Sequence, residues 1–212
     1  NYKNMQFIWF NKKFSKVSLS FLALNNGYQY ENLAENKFQV AYLQTLGTYG
    51  KWDTSKFYGD FGLYAQTGEA AITNDKVDVG AYYAGFNLGY KFTNPFKAEL
   101  GFEYLSGKDQ NDTDTKVKSF TPLFGTNHGF NGLMDYFYVR NHKNSVGLQD
   151  LYTKFIYDKN KWQVTLAPHL FYSAASVYNM TTLEEQDSYL GTEIDLTATY
   201  KMDKNFVISG GV

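Results

Sequence analysis

A period of two in side-chain polarity, held over stretches of ten or more residues, constrains this chain more than any other feature. Within 56–68, Phe57, Phe61, Leu63 and Ala65 alternate with Tyr58, Asp60, Tyr64 and Gln66. Within 97–108, Ala98, Leu100, Phe102 and Tyr104 alternate with Lys97, Glu99, Gly101 and Glu103. The stretches 161–174 and 187–201 repeat the pattern. Such alternation places successive side chains on opposite faces of a sheet, one apolar and one polar or small. Ten segments read this way: 4–11, 15–26, 37–50, 56–68, 77–92, 97–108, 145–158, 161–174, 187–201 and 205–212. Most exceed the ~5–6 residues of a common strand. They suit the ~9–11 residues a tilted strand needs to cross a bilayer.

The connectors add a second signal. Those at 11–15, 51–55, 93–96, 159–160 and 202–204 are short, and those at 27–36, 69–76, 109–144 and 175–186 are longer. Short and long alternate, as the periplasmic turns and extracellular loops of outer-membrane barrels do. A third signal is the aromatic residues beside the short turns: Trp9, Phe10, Tyr49, Trp52, Phe57, Tyr90, Phe92, Phe96, Tyr157, Trp162, Tyr200 and Phe206. An amphipathic ring favours the headgroup zone, so these residues predict one girdle at one membrane interface.

The expectation is an all-β chain: a transmembrane, antiparallel, up-and-down β-barrel domain over 1–212, closed because hydrocarbon leaves no partner for an open strand edge. Pro168 falls mid-strand and cannot donate to the ladder, which predicts a bulge or a water there. The pattern is already strand-like by Met5 and still strand-like at Val212, which reads as a processed chain or part of a longer one.

Composition excludes other classes. No run of ~18 apolar residues supplies a transmembrane helix. A net charge of −1 with no basic patch disfavours nucleic acid as a partner. With no Cys there is neither a disulfide framework nor a Cys-based metal site, and no motif implies a cofactor. The partners expected are outer-membrane lipids and other outer-membrane proteins.

If the apolar face meets lipid, the other face lines a lumen. Its residues include Tyr58, Asp60, Tyr64, Gln66, Asn87, Lys91, Lys97, Glu99, Glu103, Asp150, Tyr152, Lys154, Gln163, Thr165, His169, Glu193, Asp195, Thr197 and Lys201. Lys91, Lys97 and Lys201 lie near short turns, so the middle of that wall is acidic. It either concentrates cations or only fixes register through acid–lysine pairs. His169 and Asp150, on adjacent inward positions, could activate a water; a structural hydrogen bond explains them equally. The acidic run 109–115 lacks the sixth-position Gly and closing Glu of an EF-hand and reads as a solvated loop tip.

The stretch 119–144 is too apolar for a floppy loop and too long and Gly-rich for one strand. It carries Phe124, Asn127, His128, Asn131, Asp135 and Arg140, the chain's single Arg. An ordered loop of this length is usually functional, so 109–144 is expected to fold onto or into the barrel mouth as an extracellular lid. Its motifs Phe124-Gly125-Thr126-Asn127-His128, Phe130-Asn131-Gly132, Met134-Asp135-Tyr136-Phe137 and Val146-Gly147-Leu148-Gln149-Asp150 resemble the alginate-export-type outer-membrane proteins of Bacteroidota. Leu166-Ala167-Pro168-His169-Leu170 is similar to that group as well. The resemblance implies a porin-like channel of about eighteen strands, of which this chain would be the C-terminal part. The family's type member exports an anionic polysaccharide through a basic pore, whereas the wall here is net acidic. The resemblance therefore implies the fold and not alginate as cargo.

The leading expectation is a bacterial outer-membrane channel, not an enzyme, that passes small hydrophilic solutes or a polysaccharide. The alternatives are a non-conducting accessory or scaffold barrel, a rim-active hydrolase, and a soluble β-barrel or sandwich.

Overall fold

A computed structural model describes residues 2–72, 74–124, 131–137 and 145–212. The described residues form ten strands and no helix. The strands are β1 (Tyr2–Phe14), β2 (Val17–Asn32), β3 (Lys37–Asp53), β4 (Phe57–Ile72), β5 (Asp75–Lys91), β6 (Phe96–Leu105), β7 (Leu148–Lys159), β8 (Trp162–Tyr172), β9 (Tyr189–Lys201) and β10 (Val207–Gly211). All pair antiparallel with their sequence neighbours in one sheet ordered β1 to β10. That order is up-and-down, with β1 and β10 as its edges.

All ten expected segments are strands, but the connectors differ from the expected alternation. The tracts at 27–36 and 69–76 are not long loops. β2 and β3 extend to a four-residue turn at 33–36, and β4 and β5 extend to a connection at 73–74. Backbone pairing continues there because the polar residues remain in register, as Glu31↔Phe38 and Glu69↔Asp78 show. Only the connections 106–147 and 173–188 are long. The tight turns place Ser15, Asn36 and Asn160 at positive φ (40°, 47° and 58°), as turns matched to the right-handed twist of a hairpin require. At Pro168 the bulge does not form. The β8–β9 register runs unbroken through Pro168↔Ile194, with no bulge. The β7–β8 pairs instead pass from Tyr152↔His169 to Phe155↔Leu166 in the same register, which leaves a gap beside the missing donor.

The two faces differ sharply. The outer face exposes Leu46, Leu63, Phe86, Leu100, Phe155 and Ile194. At its short-turn end is a row of rings: Phe57 with Tyr90 (5.1 Å between centroids), Phe96 with Tyr157 (5.5 Å) and Trp162 with Tyr200 (4.7 Å). Trp52 belongs to this row, but register places Tyr49 and Trp9 on the inner face, opposite Gly62 and Leu22. A second row lies toward the other end: Tyr42, then Tyr82 stacked on Tyr104 (5.5 Å, 13°), then Tyr172 with Tyr189 (5.6 Å). The rows are eight residues apart on β5 (Tyr82 to Tyr90) and on β6 (Phe96 to Tyr104), and ten on β8 (Trp162 to Tyr172). On β3–β9 the outer positions between the rows carry no charged side chain. Beyond the second row charge returns, with Lys76 bonded to Glu69 on the β4–β5 hairpin.

Candidate functional site: the inner face and the segment docked on it

Among the described residues between β6 and β7, those of 106–124 and 131–137 supply the contacts with the inner face. Val117 pairs with β5 through Gly80 N–H to Val117 O (2.9 Å) and Val117 N–H to Asp78 O (2.8 Å). Ser106 Oγ accepts from Tyr82 N–H (2.9 Å) and donates to Lys118 O (2.7 Å). Gln66 clamps Thr121 from both sides, donating to its carbonyl (2.8 Å) and accepting from its N–H (3.1 Å). These bonds seat Phe120 and Leu123 against Leu43, Val79, Leu105, Leu148 and Phe171, the chain's one buried apolar cluster among the described residues. Phe137 joins it through the Phe171 ring (4.6 Å).

Below that apolar layer the segment meets carboxylates. Asn131 donates to Glu103 (3.1 Å), Leu133 N–H to Asp195 (3.1 Å) and Met134 N–H to Glu193 (2.8 Å). Two of these three donors are backbone groups, which need no particular side chain. Gly132, at φ 80°, lies so close to the Glu193 carboxylate that a methyl group there would overlap it. Glycine adopts that φ without steric cost and leaves room for the acid.

All fourteen lumen candidates lie on this face: Tyr58, Asp60, Tyr64, Gln66, Asn87, Glu99, Glu103, Asp150, Tyr152, Lys154, Thr165, His169, Glu193 and Asp195. The acids gather on β6–β9. Asp150 is 0 % exposed and holds His169 Nδ1 at 2.9 and 3.0 Å, while His169 Nε2 faces Asp195 Oδ2 at 3.9 Å. The imidazole is stacked between Tyr152 (4.9 Å) and Phe171 (5.7 Å). This is a satisfied, ring-packed pair whose imidazole is 7 % exposed. A cavity of about 590 Å³ lies beneath the docked segment, bordered by Glu99, Glu103, Tyr152, Lys154, His169 and Asp195. A second of about 320 Å³ lies on the other side of Glu103, toward Tyr64, Gln66 and Tyr83. Asn131 and Glu103 separate the two.

Two of the three lysines near the short turns are engaged. Lys91 bonds Asp53 and the Thr54 carbonyl, and Lys97 bonds Asp158 (3.1 Å). In the loop, Lys118 sits between Asp112 (2.7 Å) and Asp114 (3.4 Å). That hydrogen bond, aided by the Asp114 N–H, holds the Asp112 carboxyl below its ordinary range. An ammonium thus occupies the middle of the acidic run. Of the other segment residues singled out, Phe124 is exposed and Asp135 is half-buried. Asn127, His128 and Arg140 lie outside the described residues.

A pattern of glycine beneath tyrosine was not read from the sequence. A methyl group at Gly47 would overlap the Tyr64 ring, one at Gly89 the Tyr58 ring, one at Gly101 the Tyr152 ring and one at Gly85 the end of Tyr83. The tyrosines therefore lie along the wall over glycines instead of projecting from it. The Tyr152 hydroxyl donates to Asn87 Oδ1 (2.6 Å), whereas the Tyr58 hydroxyl is buried without a hydrogen-bond partner among the described residues. Gly62, Gly85, Gly89 and Gly101 alternate on the face shared with these tyrosines, a regularity visible in the sequence once the faces are assigned.

A family model described as alginate export matches residues 10–209. No curated protein and no solved structure matches the chain.

Proposed function

Because the chain belongs to the alginate export family, we propose that its sheet is the wall of a β-barrel channel in a bacterial outer membrane, passing small hydrophilic solutes or a saccharide. The observation that carries this reading is the pair of aromatic rows on the outer face. They bound a charge-free apolar band, while carboxylates crowd the opposite face of the same strands. A soluble sheet gains nothing from two such rows. In a bilayer they mark the two headgroup zones, and their eight- to ten-residue spacing approximates the ~9–11 residues of a spanning strand. The edges of β1 and β10 must then be paired in the membrane, since an open edge in hydrocarbon leaves backbone groups unsatisfied. The 106–147 segment occupies the extracellular mouth, on the side where such barrels carry their long loops.

Family membership does not carry the cargo with it. Asp60, Glu99, Glu103, Asp150, Glu193 and Asp195 face Lys154 as the lysine of the mid-wall, so the field disfavours a polyanion such as alginate and favours uncharged or cationic solutes. Planar-bilayer conductance under a salt gradient tests this, with a steady cation-preferring current as the expected result. Glu99→Gln with Glu103→Gln should shift the reversal potential toward zero, and an unmoved potential would remove both acids from the conducting path. The docked segment favours one second reading, a non-conducting scaffold barrel. A silent protein shown to be inserted would establish it.

A further inference from the structure

The inner face carries a feature that conduction alone does not need. Tyr28, Tyr64, Tyr83, Tyr49 and Tyr58 descend one side of it, on β2–β5, from the docked segment toward the short turns. From Tyr64 to Tyr58 is six residues along β4, or ~20 Å at ~3.3 Å per residue. The glycines beneath Tyr64 and Tyr58 hold these rings against the wall. Rings flat on a wall present faces, and Lys91 Nζ already lies 5.4 Å from the Tyr58 centroid. At the upper end a cavity of about 370 Å³ is lined by Tyr28, Gln66 and Ser119. The Ser119 hydroxyl is buried there without a hydrogen-bond partner.

We infer that this strip is a binding track for an uncharged, linear saccharide. A pyranose has an apolar face of C–H groups, weakly positive, which complements the negative face of an aromatic ring. Its rim of hydroxyls needs donors and acceptors, and the unpartnered Ser119 hydroxyl and the Glu103 carboxylate beside Tyr64 and Tyr83 can serve. A uronate polymer would present the same C–H faces, but each unit would bring a carboxylate toward Asp60, Glu99 and Glu103. The wall thus selects for the sugar ring and against its anionic form. This inference rests on the channel reading of the face, and it adds the class of cargo.

Binding is read by isothermal titration on the full chain refolded in detergent, which does not require a conducting pore. The probes are a neutral glucose hexasaccharide and a hexamer of uronic acid. The neutral probe should bind and the uronate hexamer should bind at least about tenfold more weakly. Tyr49→Ala with Tyr64→Ala should weaken the neutral probe by about tenfold, the effect expected of two lost stacking faces. Tyr49→Phe with Tyr64→Phe, which keeps the rings and is the safer variant for folding, should bind within about threefold of the parent. Heat-dependent gel mobility verifies that each variant is folded. No binding of the neutral hexasaccharide, equal or tighter binding of the uronate, or an alanine pair that binds like the parent would each overturn the track. A protein that binds the neutral probe but conducts no ions would overturn the channel reading and leave the track standing.

Discussion

Leu100→Arg is the substitution that most directly tests which face meets lipid. Leu100 is 52 % exposed on the outer face of β6, four residues from Phe96 in one aromatic row and four from Tyr104 in the other. Eight residues at ~3.3 Å each, tilted by ~40°, put the rows ~20 Å apart along the membrane normal and Leu100 ~10 Å from either. An Arg at that depth costs ~2–4 kcal/mol, a loss of about 30- to 700-fold in the folding constant. Thr165→Arg, on the inner face three residues from Trp162, meets water and nearby carboxylates and should cost under ~1 kcal/mol. The assay is refolding into lipid vesicles across a urea series, with the folded fraction read from heat-shifted gel mobility. If Leu100→Arg folds as readily as Thr165→Arg, the outer face does not meet lipid and the membrane argument fails. Ile194, 62 % exposed and six residues from Tyr200, should repeat the Leu100 result on β9.

Two further outcomes follow from the inner face. His169→Phe leaves Asp150 buried without its ring N–H partner and should destabilise the fold by ~3–5 kcal/mol. Adding Asp150→Leu should recover most of that loss in urea unfolding, and no recovery would mean that the pair is not what holds β7 to β8 there. Glu193→Gln with Asp195→Asn weakens the two bonds from Leu133 and Met134, each worth ~1.5–3 kcal/mol while the acceptor is charged. Residues 131–137 should then be cut faster by added protease and the conductance should rise. Unchanged cleavage would show that the carboxylates do not retain the segment.

The strands and their faces were legible because both depend on local alternation. Leu100 and Ile194 are exposed and Glu103 and Asp195 are turned inward for the same reason that any period-two string has two sides. Turn positions were less legible. The tracts 27–36 and 69–76 are rich in Asn, Glu and small residues, which mark a loop equally well as a strand end beyond the apolar band. Only the pairing of Glu69 with Asp78 across a tight hairpin distinguishes the two. The second aromatic row was missed because its members lie mid-string, as Tyr82 and Tyr104 do, and they align only once register is fixed. That 109–144 folds back onto the sheet was expected from its apolar residues, but the groups that receive it were not legible. Two of its bonds run from the backbone N–H groups of Leu133 and Met134 to Asp195 and Glu193, and backbone groups leave no signature in residue type.

That last point bears on how an acidic wall coexists with a loop inside it. A carboxylate cluster facing a water-filled space needs compensating donors, and the chain supplies few cations for the purpose. Lys91 and Lys97 are bonded to Asp53 and Asp158 near the short turns, and Lys118 is held by Asp112. The donors instead come from the docked segment: the amide of Asn131 and the N–H groups of Leu133 and Met134. These are dipoles, so they satisfy the acids without cancelling their charge, and the wall remains electronegative toward a passing solute. A lysine or arginine in their place would neutralise the field as well as hold the loop. On the proposed channel reading, the arrangement narrows the passage and keeps its sign, the combination that would turn away a polyanion while leaving the tyrosine strip open to a neutral chain.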